Sequence, residues 1–250
     1  MGEKRFFAHE VRFDLATIKG GDYGHITKVL RMQENDDINV FNPSFGEYEG
    51  EIEAIDREGK EVIVRVKKLI KEAETGRPKI SAIVSLIKNS PMDSVIEKLT
   101  EAGADVIIPY EARRSVVKAK EDRSKKERWE KIVYTAVKQC GRISIPVIKN
   151  FIKSPSEADS GEGVLKILVY ENEKEKYITD CLEEAKGSGR GVVFAIGPEG
   201  GFEEEEALSF IKEGFIPVSL GKNILRAETA APAVCCMVSM YAGRDNWKAQ

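Results

Sequence analysis

With 250 residues, 42% hydrophobic and 32% charged, the chain can bury a sizeable core in one or two domains. No apolar run reaches the roughly 18 residues that span a bilayer, and the N-terminus lacks a signal-peptide core, so a cytoplasmic protein with no membrane partner is expected. Four cysteines without CxxC spacing and only two histidines exclude a zinc-site pattern and point to reduced, buried thiols.

The net charge of −3 averages over an uneven distribution. Residues 113–149 hold twelve Lys/Arg against four Asp/Glu, whereas residues 1–77 hold thirteen against sixteen and residues 150–250 eleven against seventeen. One basic block therefore sits in an otherwise acidic chain. It is either a solvated helix face or an electrostatic footprint for nucleic acid.

In chain order, the first 75 or so residues read as β. Val40-Phe41, Glu49 to Ile55 and Val62 to Val66 are short alternating or β-branched runs, separated by the turn sequences Asn42 to Gly46 and Asp56 to Gly59. Several short strands in that length suggest a small barrel, and the polar stretch Lys71 to Pro78 reads as a linker. The pattern then changes to α/β, with a buried strand from Ile80 to Ile87 and a helix start at Ser90-Pro91-Met92-Asp93. Ser90 fits the N-cap there and Pro91 the first helical position. Val95, Ile96, Leu99 and Ala102 form one apolar face, Gly103 ends the helix, and Val106 to Ile108 is the next strand. A second helix carries Trp129, Val133, Ala136, Val137 and Cys140 on one stripe and Arg128, Lys131 and Lys138 on another. Strands at Leu165 to Tyr170, Val192 to Ile196 and Pro217 to Leu220 alternate with helical segments, which argues for a largely parallel sheet.

The chemistry concentrates at the ends of those last strands. Ligands of parallel α/β sheets bind beyond the carboxyl ends of strands. Three segments share that placement: Tyr170-Glu171, the loop Gly197-Pro198-Glu199-Gly200-Gly201 after Ile196, and Gly221 to Leu225 after Leu220. Glycines expose main-chain N–H and C=O groups to a ligand, and Pro198 stiffens the exit from the strand. The loop is neither a Walker A sequence nor GxGxxG, and it could also be a plain tight turn. A helix following Thr229, with Pro232 in its first turn, would add free N–H donors. No Ser/His/Asp set, carboxylate pair or metal cluster accompanies these loops. His9 and His25 lie in the β region and read as surface or packing residues.

Ile196 to Phe202 followed by Leu220 to Ala233 resembles the C-terminal signature of the RsmE family, ribosomal RNA uridine-N3 methyltransferases of the SPOUT superfamily. Lys4 to Phe7, His25 to Arg31, Met92-Asp93 with Glu97 to Gly103, Arg114 to Val117, Arg128-Trp129 and Gln139 to Arg142 also fall in family order. Asn89-Ser90-Pro91 stands where the family usually has a Gly-Asp-Lys-like sequence, and Arg113 where it commonly has Glu.

The resemblance implies an α/β chain with an N-terminal PUA-like β-barrel over residues 1–75 and a SPOUT-type, trefoil-knotted methyltransferase domain over 76–250. It implies S-adenosylmethionine as cofactor and no metal, a homodimer, and 16S ribosomal RNA as partner, within the small ribosomal subunit. Tyr170, Glu171, Ile196 to Gly201, Leu220, Gly221, Ile224, Leu225, Arg226, Thr229 and Ala230 are the expected cofactor contacts. Arg226, Glu228 and Glu199 are the candidate catalytic residues: either glutamate as proton acceptor, the arginine as a partner for charge developing on uracil. Two other roles stand beside these: shaping the loop or binding ribose for Glu199, and pairing with Arg226 or capping the last helix for Glu228. Arg5, Lys28, Arg31, Arg114, Arg128 and Arg142 are the expected RNA contacts. Two other readings fit the sequence: a non-catalytic RNA-binding or ribosome-assembly protein, and a SPOUT methyltransferase acting on another RNA.

Overall fold

The computed structural model describes residues 4–73, 76–118, 123–158, 161, 163–185 and 188–243. The expected boundary at residues 75 and 76 touches Thr75, which lies outside the described residues. Two compact units emerge, one of residues 1–75 with 137–145 and one of residues 76–136 with 146–250.

In the first unit, β1 (Arg5–Phe7), β2 (Glu10–Arg12), β3 (Leu15–Ile18), β4 (Asp37–Asn42), β5 (Gly46–Asp56) and β6 (Glu61–Lys71) form one sheet in the order β1-β4-β5-β6-β3-β2. Only β1 and β4 run parallel. A short helix α1 (Gly21–Gly24) passes directly into a π turn, His25–Val29. The alternation seen in the sequence sends Ile38, Val40, Ile52, Val62 and Val64 inward to a common core with Phe6, Ile18 and Ile26. Register shifts between β5 and β6 curl the sheet, since each bulge adds local twist. Asp56 accepts the N–H groups of Glu58 and Gly59, which fixes the turn expected there.

Arg5 lies inside this unit, 2% exposed. Its Nε donates to Glu47 at 2.8 Å, and its two terminal nitrogens donate to the carbonyls of Val137 at 2.9 Å and Arg142 at 2.7 Å. The guanidinium carbon stands 3.8 Å from the centre of the Phe41 ring. Arg142 is also buried, with Nε donating to Ser144 at 2.8 Å. Both side chains serve the interior, so the expectation that they meet RNA phosphate is set aside. Arg5→Lys keeps the charge but forfeits the forked geometry that reaches three acceptors at once. We expect it to cost about 2 kcal/mol, or a fall of about 4–8 °C in the thermal midpoint. A purely RNA-facing Arg5 would leave that midpoint unchanged.

The second unit is built on β7 (Ile80–Ser85), β8 (Val106–Tyr110), β9 (Val147–Ile148), β10 (Leu165–Val169), β11 (Val192–Ile196) and β12 (Ile216–Val218). All are parallel, in the order β12-β10-β11-β7-β8-β9. The central strands β7 and β11 are almost wholly buried, which is why they read as continuous apolar runs. The helices are α2 (Asn89–Ala102), α3 (Arg123–Cys140), α4 (Ile178–Ala185), α5 (Glu204–Lys212) and α6 (Ala227–Gly243). Helix α6 packs on α2, β7 and β11.

Several boundaries differ from expectation. Helix α2 starts at Asn89 with Lys88 at the N-cap and no side-chain cap, so Ser90 lies inside the first turn. Gly103 does end it, at φ 107°, a left-handed conformation that suits glycine. Cys140 is exposed rather than on the buried stripe of α3. The last strand ends at Val218, and α6 starts at Ala227, before Thr229, leaving Pro232 in the helix interior. There it removes one main-chain hydrogen bond. Among the described residues no helix is long and apolar enough to cross a membrane, and no cluster of His, Cys, Asp or Glu has metal-site geometry.

Candidate cofactor site

The order of the second sheet reverses direction about β7: β8 and β9 extend to one side, and the chain then crosses over to build β10, β11 and β12 on the other. Such a switch point opens a crevice at the carboxyl ends of the strands. Four of the segments that leave strands at that end concern the site. They are residues 111–118 after β8, Tyr170 to Tyr177 after β10, Gly197 to Glu203 after β11 and Ser219 to Arg226 after β12.

The glycine loop is anchored at its base and gripped on two sides. Ser85 Oγ donates to the carbonyl of Ile196 at 2.9 Å, tying the end of β11 to β7. A tight turn follows, with Gly201 N–H on the carbonyl of Pro198 at 2.9 Å. Phe202 then drops into the core between Tyr110 and Phe210, with ring centroids 6.1 and 5.2 Å away. Gly197 lies so close to Phe202 that a Cβ would sit 3.2 Å from the ring. Gly201 has φ 68°, and a Cβ on it would meet the Glu171 carboxylate at 1.7 Å. On the other side Arg114 lies along Gly200 and donates to its carbonyl at 2.9 Å. The loop after β10 and the loop after β8 thus bracket the loop after β11.

A buried carboxylate organises one of those brackets. Glu206, in the first turn of α5, accepts from Tyr110 Oη at 3.1 Å and Arg113 N–H at 2.8 Å with one oxygen, and from Glu203 N–H at 3.1 Å with the other. Burial, reinforced by the neighbouring Glu206, pushes the Tyr110 phenol well above the ordinary tyrosine range. The phenol therefore stays a donor to Glu206. Arg113, which stands where the family commonly has Glu, pairs with Glu203 at 3.2 Å and with Glu205. Next to Arg114, Ser115 Oγ is the one buried side-chain oxygen or nitrogen without a hydrogen-bond partner among the described residues.

The last loop has a different character. Tyr170 N–H bonds the carbonyl of Val218, and Ser219 exchanges main-chain hydrogen bonds with Lys176 and Ile178, which fixes where β12 ends. Leu220 is partly buried, and from Gly221, at φ 122°, to Arg226 every residue is exposed, including Ile224 at 84%. The main-chain N–H groups of residues 222–226 find no partner among the described residues. Arg226 then accepts the N–H groups of Thr229 and Ala230 on its carbonyl as α6 begins. Its guanidinium points outward, 3.9 Å from Glu228, so the two candidate catalytic side chains meet. Glu199 is exposed at the tip of the glycine loop.

The expected RNA contacts separate by environment. Lys28 and Arg31 are exposed, Arg31 at φ 52°. Arg114 is committed to Gly200, and Arg128 pairs with Asp93, which also accepts from Trp129 at 3.2 Å. The sequence pattern gave no site role to Arg113 or Ser115, and Glu206 went unnoticed. A glutamate three residues after the helix-capping position is a recognised cap signature, and that signal was present in Glu203 to Glu206.

The arrangement fits S-adenosylmethionine on its own terms. Glycines without room for a side chain leave main-chain N–H and C=O groups at the strand ends, which can meet an adenosine edge without committing a side-chain charge. A family model described as an RNA methyltransferase domain matches residues 75–239, and one described as an RNA methyltransferase PUA domain matches residues 18–65. Ribosomal RNA small subunit methyltransferase E of Buchnera aphidicola is 32% identical over 87% of this chain and 85% of its own length. The protein of that name from Bacillus subtilis is 29% identical over 86% and 85%. The Neisseria gonorrhoeae enzyme, solved bound to S-adenosyl methionine, superposes with a TM-score of 0.79 at 25% identity, covering 95% of this chain and 97% of that one. With both family models matched in order along the chain, and a relative 32% identical over 87% of it, the chain belongs to the ribosomal RNA small subunit methyltransferase E family.

Proposed function

We propose that this enzyme methylates N3 of a specific uridine in 16S ribosomal RNA, using S-adenosylmethionine. The observation that carries the reading is the glycine loop after β11, bracketed by Glu171 and Arg114 at the carboxyl ends of a parallel sheet. S-adenosylmethionine, when bound, supplies a methyl group already activated for transfer. The chain has to orient the uracil, exclude water and take up the N3 proton. Glu228, partly buried on the first turn of α6, is the better-placed acceptor, and Arg226 beside it holds negative charge on the uracil oxygens. Glu199 is retained as the second candidate.

A homodimer with a knotted cofactor loop is part of this proposal. Helix α6 is apolar nearly all round, and Cys236 and Met240 remain exposed on it while Ala231, Cys235 and Val238 are buried. A helix with that composition is normally covered on every side, which a second copy would achieve. Lys28 and Arg31 in the first unit, and Arg114 and Arg128 in the second, are the proposed RNA contacts.

The deciding experiment maps N3-methyluridine in small-subunit RNA from cells lacking this protein. Retention of the modification would sink the assignment. In single-turnover methylation with purified protein, Glu228→Gln should slow the chemical step at least ten-fold with cofactor affinity unchanged. An unaltered rate would remove that residue as the base.

A further inference from the structure

We infer that Phe13 is a nucleobase-stacking contact for the RNA substrate, displayed at a strained hairpin tip. The inference rests on the proposed reading of the chain as an RNA methyltransferase. Pairing of Arg12 with Leu15 closes a two-residue turn made of Phe13 and Asp14 between β2 and β3. Phe13 takes φ 55°, a conformation that such turns normally give to Gly, Asn or Asp. A bulky side chain there is an outlier, and outliers of this kind persist where they serve a function. The ring gains nothing from the fold in return. At 97% exposure it is the most exposed large apolar side chain among the described residues.

The surroundings identify the partner's chemistry. Charges at the tip are already matched: Arg12 pairs with Glu10 at 2.6 Å, and Arg65 pairs with Asp14 and Glu53, each at 2.7 Å. Phosphate attraction at this tip is therefore weak, in keeping with the acidic balance of residues 1–77, thirteen Lys/Arg against sixteen Asp/Glu. A protein partner would call for a wider apolar patch, yet the ring stands between Arg12 and Asp14. What remains is an isolated aromatic face, and unpaired RNA bases stack on such faces whatever their sequence. A unit with little net attraction for the backbone gains its grip from a contact of this uncharged kind.

Affinity for a small-subunit RNA fragment, measured across a salt series alongside methylation, tests the inference. Phe13→Gly relieves the backbone and should melt at or above the wild-type temperature. Its RNA Kd should rise about five-fold or more, while Phe13→Trp stays within about two-fold. The slope of log affinity against log salt should not change, because stacking releases no counterions. Equal Kd for Phe13→Gly and wild type, or an altered salt slope, overturns the stacking role; the latter would mark an electrostatic contact. Failure of the wild-type enzyme to methylate the RNA it binds would instead sink the proposed activity, leaving the Phe13 comparison to be read from binding alone.

Discussion

Gly201→Ala should abolish most cofactor affinity while leaving the protein folded. At φ 68° a methyl-bearing residue is held in left-handed backbone, which costs roughly 1–2 kcal/mol. The added Cβ also lands 1.7 Å from the Glu171 carboxylate, so that side chain has to swing away from the loop. Both effects fall on the segment proposed to present main-chain groups to the cofactor. Kd for S-adenosylmethionine should rise at least ten-fold, equivalent to about 1.4 kcal/mol. The double variant Gly201→Ala/Glu171→Ala separates the two causes. It removes the collision but not the backbone strain, so affinity should recover only in part. Calorimetric titration of wild type and both variants would show this, and an unchanged Kd in Gly201→Ala would disprove the role of the loop. Global stability should fall by no more than that strain, about 1–2 kcal/mol, because Gly201 lies outside the sheet and its one main-chain bond among the described residues is the local one to Pro198.

That loop was legible because its signal is local. Five consecutive apolar residues from Val192 to Ile196, short and bounded by glycines, read as a buried strand, and the glycines that follow mark a place where side chains do not fit. The same local logic found β10, the Asp56 turn and the Gly103 stop. It failed for Arg5 and Arg142. Both lie in segments where exposed cations are the ordinary case, and the burial of Arg5 depends on acceptors far away in sequence. Arg5 finds its carbonyls 132 and 137 residues later. No periodicity encodes a meeting of that range. The three-residue strands β1 and β2 were passed over for a related reason: they are too short to show alternation, and pairing with β4 and β3 defines them. Phe13 was passed over because its meaning lies in a dihedral angle and an exposure. Glu206 was hidden among four consecutive glutamates, three of which face solvent at least in part.

Glu206→Ala should be the most destabilising substitution near the site. The residue is 5% exposed, and its removal strands three donors at once: the Tyr110 hydroxyl and the N–H groups of Arg113 and Glu203. Each buried donor left unsatisfied costs about 1–3 kcal/mol, and water entering the vacated volume would recover part of that. A net loss of about 3 kcal/mol is expected, seen as a fall of about 6–12 °C in the thermal midpoint. Glu206→Gln keeps one acceptor oxygen but turns an amide donor toward donors, so it should fall between wild type and Ala. Alkaline unfolding gives an independent check. In the folded protein the Tyr110 phenol titrates above its ordinary value of 10.0, because of burial first and the Glu206 charge second. The unfolded chain therefore releases that proton first. The stability this contributes is complete below pH 10 and declines as pH rises past it. Removing Glu206 takes away part of the shift, so the decline with pH should be shallower in Glu206→Ala than in wild type. The cofactor site should respond as well, because Glu206 fixes the main chain at Arg113 and the next residue, Arg114, holds the carbonyl of Gly200. Loss of stability with unaltered affinity for S-adenosylmethionine would show that the bracket around the glycine loop does not depend on this carboxylate.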